Sequence, residues 1–290
     1  MFKLWLYDAH TRQIKRFQIG GRVLIMVTLG DIAKPYDQMS DEAKATFLLA
    51  LKLANKEQLE LLRKAKENMK YYILANGEGT RWHNYKGVPK QLIEIDGETI
   101  LHRMIRLLHE EGVEKSDIFI CGLFKDDGAT SIMTKSPTKR EVFEEIANLA
   151  QGPFTILYGD CYYTKECIHE IVTRPIKKYD EFFTTSNNQY TGKPWAEGYA
   201  HRCVDWQWWR DEMHELNNSP EIIKTAKDWY LHWWLLGVKD EHMNDYPVQC
   251  YDPDHDIEWQ DETDDFDFPE DLDRFCTVTC HECTNKEANE

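Results

Sequence analysis

A glycine-rich turn with basic residues at both ends is the part of the sequence whose chemistry is easiest to interpret. Residues 71–81 read YYILANGEGTR, so a short apolar run passes directly into a G-x-G-T-R turn. Glycines allow backbone N–H groups to approach phosphate oxygens closely. Arg81 and Lys90, the second in a Pro-Lys pair, add positive charge. The segment predicts a polyphosphate site, and the alternative is an ordinary strand-to-helix turn, because a G-x-G pattern alone is weak evidence.

The segment resembles the signature loop of the nucleotidyltransferases that make nucleotide-sugars and related activated alcohols. That family shows roughly L-A-x-G-x-G-T-R, a variable spacer and then P-K. The resemblance is close over residues 70–124 and looser to about residue 275. It departs at Asn76, where the family has a small residue, and in the aromatic and amide-rich spacer 82–87. The residues that match the family are Ala75, Gly77, Gly79 and Thr80 for nucleotide binding, and Arg81 and Lys90 for catalysis.

The resemblance implies an enzyme that couples a nucleoside triphosphate to a phosphorylated small molecule and releases pyrophosphate, with Mg²⁺ as its cofactor. A sugar 1-phosphate is the first acceptor to consider, and a phosphocholine-like alcohol phosphate is the second. Such a transfer needs alignment of the acceptor phosphate and neutralisation of the leaving pyrophosphate rather than covalent catalysis. Lys193, in the stretch TGKPWAEG, is the candidate cation for the acceptor phosphate, and the alternative is an ordinary surface lysine.

Two carboxylates are the candidate magnesium ligands. Asp160 follows a buried apolar run, and ligands of open α/β sheets bind beyond the carboxyl ends of strands. In the resembled family the aspartate at this position is a magnesium ligand. Asp267 matches the second family aspartate, in a D-x-x-T-P-E-D-like stretch where Phe268 replaces the threonine, and Asp265 is its substitute. The alternatives are a helix cap at Asp160 and a solvated acidic run around Asp267.

Composition limits the classes of partner. The 290 residues are 42% apolar and have a net charge of −16, which argues against a nucleic-acid or membrane surface. No secretory signal or membrane-length apolar run is visible, and eight cysteines predict reduced thiols in a cytoplasmic protein. The C-x-x-x-C-x-x-C pattern at Cys276, Cys280 and Cys283 can hold an iron–sulfur cluster or zinc, but a tail with free thiols is the interpretation we favour.

The order of apolar runs predicts three segments. Residues 1–69 are predicted to form an extension, a β-hairpin plus a long helix, that packs on the core or pairs copies into a homo-oligomer. Residues 70–275 alternate strands and helices, which predicts an α/β fold, and the resemblance makes it a Rossmann-like three-layer sandwich with a mixed, mostly parallel central sheet. Residues 276–290 form a polar tail. The predicted strands are 71–75, 117–121 and 154–158, and the predicted helices are 98–110, 139–149 and 206–239.

Two other classes of protein remain as alternatives. A glycosyltransferase with a related sheet would use a nucleotide-sugar, but such enzymes carry a D-x-D motif, and here Asp160 is followed by Cys161 and Tyr162. A non-catalytic nucleotide-binding protein could keep the fold without the reaction. The presence of both candidate metal carboxylates argues against that second alternative.

Overall fold

The structure is a computed structural model, and part of the chain is described in it. The described residues are 2–8, 13–19, 52, 56, 60, 62–77, 79–134, 139–176, 180–185, 190, 197–218 and 256–283. The chain divides into two compact units, Met1–Glu67 and Asn68–Glu290.

The first unit contains the N-terminal strands. Strand β1 (Phe2–Asp8) pairs antiparallel with β2 (Gln13–Ile19), with Asp8 opposite Gln13, so the predicted hairpin is confirmed. Residues 62–67 are helical, in agreement with the end of the predicted long helix. The greater part of that helix lies outside the described residues.

The described strands of the second unit form one large sheet and two small ones. In chain order they are β3 (Lys70–Ala75), β4 (Glu94–Ile95), β5 (Glu98–Thr99), β6 (Ile118–Gly122), β7 (Thr130–Ile132), β8 (Phe154–Tyr158), β9 (Cys161–Tyr162), β10 (Asp180–Thr185), β11 (Glu197–Cys203), β12 (Asp256–Glu258) and β13 (Asp264–Asp265).

The large sheet has seven strands in the order β12-β10-β11-β8-β3-β6-β7. Strand β3 lies in its interior and pairs parallel with both β6 and β8, while β11 is antiparallel to β8 and β10. The remaining two pairings, β6 with β7 and β10 with β12, are parallel. The predicted mixed, mostly parallel sheet is therefore confirmed.

Helices cover both faces of this sheet. The described helices are α1 (Ile100–Glu110), α2 (Lys139–Ala150), α3 (Lys165–Thr173), α4 (Trp206–Asn218) and α5 (Pro269–Thr279). Side chains of α1 and α3 share one buried cluster with the sheet, and side chains of α2 and α4 share a second one on the other face. This arrangement is the predicted three-layer sandwich. Residues 219–239, the second half of the predicted aromatic helix, lie outside the described residues.

Helix α1 shows how the local sequence determines an element. Its N-cap is Thr99, whose side chain accepts a hydrogen bond from the His102 N–H at 3.2 Å, as N-cap threonines commonly do. Its apolar positions recur with helical spacing and are buried. Gly112, with a φ of 84°, follows the helix end in the left-handed region that glycine adopts without steric cost.

A third buried cluster joins the glycine loop to the C-terminal helix. Its members come from the loop, the small strands and the residues next to them, the start of α1, and α5: Trp82, Ile93, Ile95, Ile100, Tyr162, Phe266, Leu272 and Phe275. Cys276 and Cys283 pack against it and are joined by a disulfide, so the expectation of free thiols at these two positions is wrong. Cys280, between them, is free and exposed. None of the helices among the described residues combines the length and apolarity that a membrane span requires.

Candidate functional site

The site lies where three parallel strands end. Strands β3, β6 and β8 point the same way, so Ala75, Gly122 and Tyr158 lie at one edge of the sheet. Glycine is required beside β3, because a Cβ atom at Gly122 would clash with the Ala75 carbonyl and one at Gly159 with the Leu74 carbonyl. The Gly159 N–H instead donates to that Leu74 carbonyl at 2.9 Å. The chain can therefore leave β8 close to the start of the loop.

The glycine loop leaves β3 in tight turns. Ala75 is buried at the strand end and Gly77 is exposed. Gly79 has a φ of 59°, and its carbonyl accepts a hydrogen bond from the Trp82 N–H at 2.9 Å, which closes a short 3₁₀ turn over Thr80–Trp82. The side chain of Thr80 is outside the described part. The loop thus exposes backbone between a buried strand and a turn, a geometry that suits anion binding.

Two cations and two carboxylates meet above this edge. The Lys90 Nζ lies 2.7 Å from Asp160 Oδ2 and 3.9 Å from Asp267 Oδ1. Arg81 donates from Nη1 to Asp267 Oδ2 at 2.9 Å, and its Nη2 lies 2.7 Å from Asp267 Oδ1. The side chains of Lys90 and Asp267 are 9% and 13% exposed, whereas that of Arg81 is 54% exposed. The structure therefore brings together the two basic residues of the loop motif and the two candidate metal carboxylates.

Backbone contacts bring Asp160 and Asp267 to the same place. Strand β13 pairs antiparallel with β9, with Asp265 opposite Cys161. The next residue, Phe266, donates its N–H to the Asp160 carbonyl at 3.1 Å. This pairing places the residue after β8 beside the residues that precede α5. Asp265 lies within β13 and is buried, while Asp267 is the one that contacts the two loop cations.

Lys90 is held by the end of the spacer. It begins a 3₁₀ turn (Lys90–Leu92) that follows Pro89, and the Ile93 N–H donates to its carbonyl at 3.1 Å. The buried Trp82 donates from Nε1 to the Val88 carbonyl at 3.0 Å. The two ends of the spacer are thereby tied together, so Arg81 and Lys90 both reach the carboxylate of Asp267.

The aromatic spacer also contacts the C-terminal helix. The Tyr85 hydroxyl lies 2.8 Å from Asp273 Oδ1, and this hydrogen bond raises the pKa of Tyr85. The ring of Tyr85 meets that of Trp82 edge to face at 5.4 Å, and Lys86 Nζ lies 3.4 Å from the Cys283 carbonyl. This spacer departs from the pattern of the resembled family, and no sequence motif indicates its contact with α5.

The donor set fits a magnesium ion. Asp160 and Asp267 each bring a carboxylate oxygen within 3.9 Å of one ammonium, and oxygen is the ligand type that Mg²⁺ prefers. Within the described residues there is no group of three or more His, Cys, Asp or Glu side chains that could form a full metal cage. Magnesium at nucleotide sites uses one or two carboxylates and completes its shell with phosphates and water. Lys193, the candidate acceptor-phosphate cation, lies outside the described residues.

Comparison with known proteins concerns the fold. No protein-family model and no curated protein sequence matches the chain. It is similar to a candidate glucose-1-phosphate thymidylyltransferase from Bacillus anthracis, with 12% identity and a TM-score of 0.48 over 76% of this chain and 98% of that one. It is also similar to the CTP:phosphocholine cytidylyltransferase of Streptococcus pneumoniae, with 15% identity and a TM-score of 0.42 over 73% of this chain and 99% of that one. A third similar structure is the inositol-1-phosphate CTP transferase of T. maritima, with 13% identity and a TM-score of 0.45 over 71% of this chain and 91% of that one. At these identities the likeness describes the fold alone.

Proposed function

We propose that the chain is a magnesium-dependent nucleotidyltransferase that couples a nucleoside triphosphate to a phosphorylated small molecule, with a sugar 1-phosphate as the first acceptor to test. The observation that supports this most directly is the contact of the Lys90 ammonium with both Asp160 and Asp267. A cation from the glycine loop and two strand-end carboxylates are the groups that such a reaction needs in one place.

In the proposed reaction an oxygen of the acceptor phosphate forms a bond to the α-phosphorus, and the bond from that phosphorus to the β-phosphate oxygen breaks. Pyrophosphate leaves with the electron pair of the broken bond. The backbone at the exposed Gly77 and the half-buried Gly79 is suited to receive phosphate oxygens, and Arg81 and Lys90 would neutralise charge on the leaving group.

Asp160 and Asp267 would hold the magnesium ion, which supplies positive charge to the phosphates when it is bound. The low exposure of the Lys90 and Asp267 side chains makes their electrostatic effects stronger than they would be in open water. A preorganised group of this kind contributes to catalysis because it does not have to reorient as charge develops.

A pyrophosphate-release screen tests the proposal. The full-length protein is incubated with each of the four common ribonucleoside triphosphates, a panel of sugar 1-phosphates and phosphocholine, with and without magnesium. We expect release that requires both an acceptor phosphate and magnesium. A glycosyltransferase, which needs a nucleotide-sugar, and a non-catalytic nucleotide-binding protein would both release no pyrophosphate in this screen. Absence of release with every combination would contradict the proposal.

A further inference from the structure

One buried carboxylate beside the site has no direct role in the proposed reaction, but it is hydrogen-bonded to the backbone at Asp267. Asp271 lies in the first turn of α5, and its side chain is buried. Its Oδ2 atom accepts the Asp267 N–H at 2.9 Å and the Phe268 N–H at 2.8 Å. The N-terminus of a helix favours a negative charge at such a position, and hydrogen bonds to an ionised acceptor are stronger than neutral ones.

These two hydrogen bonds restrain the backbone on both sides of Asp267. The Asp267 N–H belongs to the peptide unit before its Cα, and the Phe268 N–H belongs to the unit after it. Each unit is planar, so the two differ in orientation only through φ and ψ of Asp267. Holding both units to one oxygen therefore fixes these torsions and, with them, the direction in which the Asp267 side chain leaves the backbone.

Asp271 is itself anchored to the core. The next residue, Leu272, and Phe275 one turn later are fully buried in the cluster that also contains Trp82 and Phe266. On the other side of Asp267, the Phe266 N–H is bonded to the Asp160 carbonyl at 3.1 Å. The position of Asp267 relative to Asp160 thus depends on β-pairing from one side and on Asp271 from the other.

We propose that Asp271 is a positioning residue that aims the Asp267 carboxylate at the cation shared with Asp160. This inference rests on the proposed function, because it assigns Asp267 to a divalent cation. Removal of a residue that orients a metal ligand without touching the metal commonly lowers metal affinity or activity by about ten- to a hundredfold. A residue that only caps α5 would change stability without that effect.

The test compares Asp271→Ala and Asp271→Asn in the full-length protein with two controls. Thr99→Ala removes the side-chain N-cap of α1, and so gives the effect of losing a helix cap elsewhere. Glu270→Gln removes a charge from the same turn of α5 and leaves both Asp271 hydrogen bonds in place. For each protein we measure the thermal unfolding midpoint, Mn²⁺ binding by calorimetry without nucleotide, and pyrophosphate release as a function of magnesium concentration.

We expect Asp271→Ala to weaken Mn²⁺ binding at least tenfold, to raise the magnesium concentration for half-maximal rate and to lower kcat. Asp271→Asn, which keeps an acceptor oxygen, should recover a substantial part of the Mn²⁺ affinity, of the magnesium dependence and of kcat. Thr99→Ala should lower the unfolding midpoint about as much as Asp271→Ala and leave Mn²⁺ affinity unchanged. Glu270→Gln should match the wild type in magnesium dependence.

The positioning role would be overturned, while the proposed function stands, if Asp271→Ala kept the Mn²⁺ affinity and the rate of the wild type. The same would follow if Asp271→Ala and Thr99→Ala lost Mn²⁺ affinity to the same extent. A wild-type protein that neither binds Mn²⁺ nor releases pyrophosphate would overturn the proposed function, and the positioning role would fall with it. Mn²⁺ binding without pyrophosphate release would overturn the proposed reaction alone, because the affinity measurement still tests Asp271.

Discussion

At the scale of single residues, the site consists of opposite charges that neutralise one another. The Lys90 side chain is almost buried, its ammonium lies within 3.9 Å of two carboxylates, and the Arg81 guanidinium contacts one of them through two nitrogens. A buried charge is tolerated only where an opposite charge compensates for its lost hydration. A divalent cation bound to the same carboxylates would replace Lys90 and Arg81 as their compensating charge. Triphosphate oxygens would then offer these two basic side chains new partners. Cation and triphosphate are therefore expected to bind cooperatively.

Replacement of Lys90 should slow the reaction. Because Lys90 is a preorganised charge beside the proposed leaving group, we expect Lys90→Ala to lower the rate of pyrophosphate release by about a hundredfold or more. The matched control is Lys86→Ala, which removes the same charge from the exposed spacer, where Lys86 lies near the Cys283 carbonyl. Near-normal turnover in Lys90→Ala would remove this residue from the proposed mechanism.

The same substitution should have the opposite effect on metal binding. Without nucleotide, Lys90 would compete with a divalent cation for Asp160, because a nearby positive charge lowers the affinity of a carboxylate site for a second one. We expect Lys90→Ala to bind Mn²⁺ more tightly than the wild type does, measured by calorimetry without nucleotide. Lys86→Ala should leave the affinity unchanged. Weaker binding in Lys90→Ala would mean that Lys90 supports the carboxylates instead of competing for them.

At the scale of elements, the strands and helices that are specified by neighbouring residues in the chain could be predicted from the sequence. The apolar run before the glycines became β3, and the capped, periodic stretch after Thr99 became α1. The Pro-Glu-Asp stretch became the first turn of α5, where proline and acids are favoured. In each case neighbouring residues in the chain determine the backbone, so sequence alone carries the information.

The contacts between elements were less predictable, because they join residues far apart in the chain. Tyr85 and Asp273 are separated by 188 positions, and no local pattern pairs them. The need for glycine at Gly122 depends on how closely β6 approaches the end of β3. The disulfide was missed because a chain that looked cytoplasmic favoured free thiols, and only the fold places Cys276 beside Cys283. The pairing of Asp160 with Asp267 was reached through family resemblance, not through any local signal.

The disulfide should hold the turn that follows α5 against the rest of the second unit. That turn contains His281, which contacts Asp96 at 2.6 Å and Glu262 at 3.1 Å. A short disulfide loop stabilises a protein by about 2 kcal/mol, near the lower end of the usual range. We expect Cys276→Ser to lower the free energy of unfolding by about that amount, measured in urea.

A dithiol reductant should have the same effect on the wild type and none on Cys276→Ser. The control is Cys280→Ser, since Cys280 is free and exposed and its loss breaks no bond. Equal stability of the wild type with and without the reductant would show that this disulfide does not form in solution.

At the scale of the whole molecule, burial separates the described cysteines that lie outside the disulfide into two groups. Cys121, Cys161, Cys167 and Cys203 are buried and Cys280 is exposed. Burial raises the pKa of Cys121 to about 12 and moves the pKa of Cys167 in the same direction. Alkylation requires the thiolate, so at about pH 8, well below the raised pKa, a buried thiol is both protonated and inaccessible. Its labelling therefore requires the surrounding structure to open.

This difference gives a measure of global stability and of ligand binding in one experiment. With iodoacetamide at about pH 8 and site-resolved mass spectrometry, Cys280 should be labelled quickly and Cys121 and Cys167 only slowly. A ligand that binds only the folded state, at about 100 times its Kd, stabilises it by about 2.7 kcal/mol. Magnesium with the correct triphosphate should therefore slow labelling of Cys121 and Cys167 by about a hundredfold and leave the rate at Cys280 unchanged. A triphosphate of the wrong base should protect less, so the ranking would identify the nucleotide independently of turnover. Rapid labelling of Cys167 in the native protein would contradict the buried packing of α3 against the sheet. Labelling that no triphosphate slows would contradict the nucleotide site.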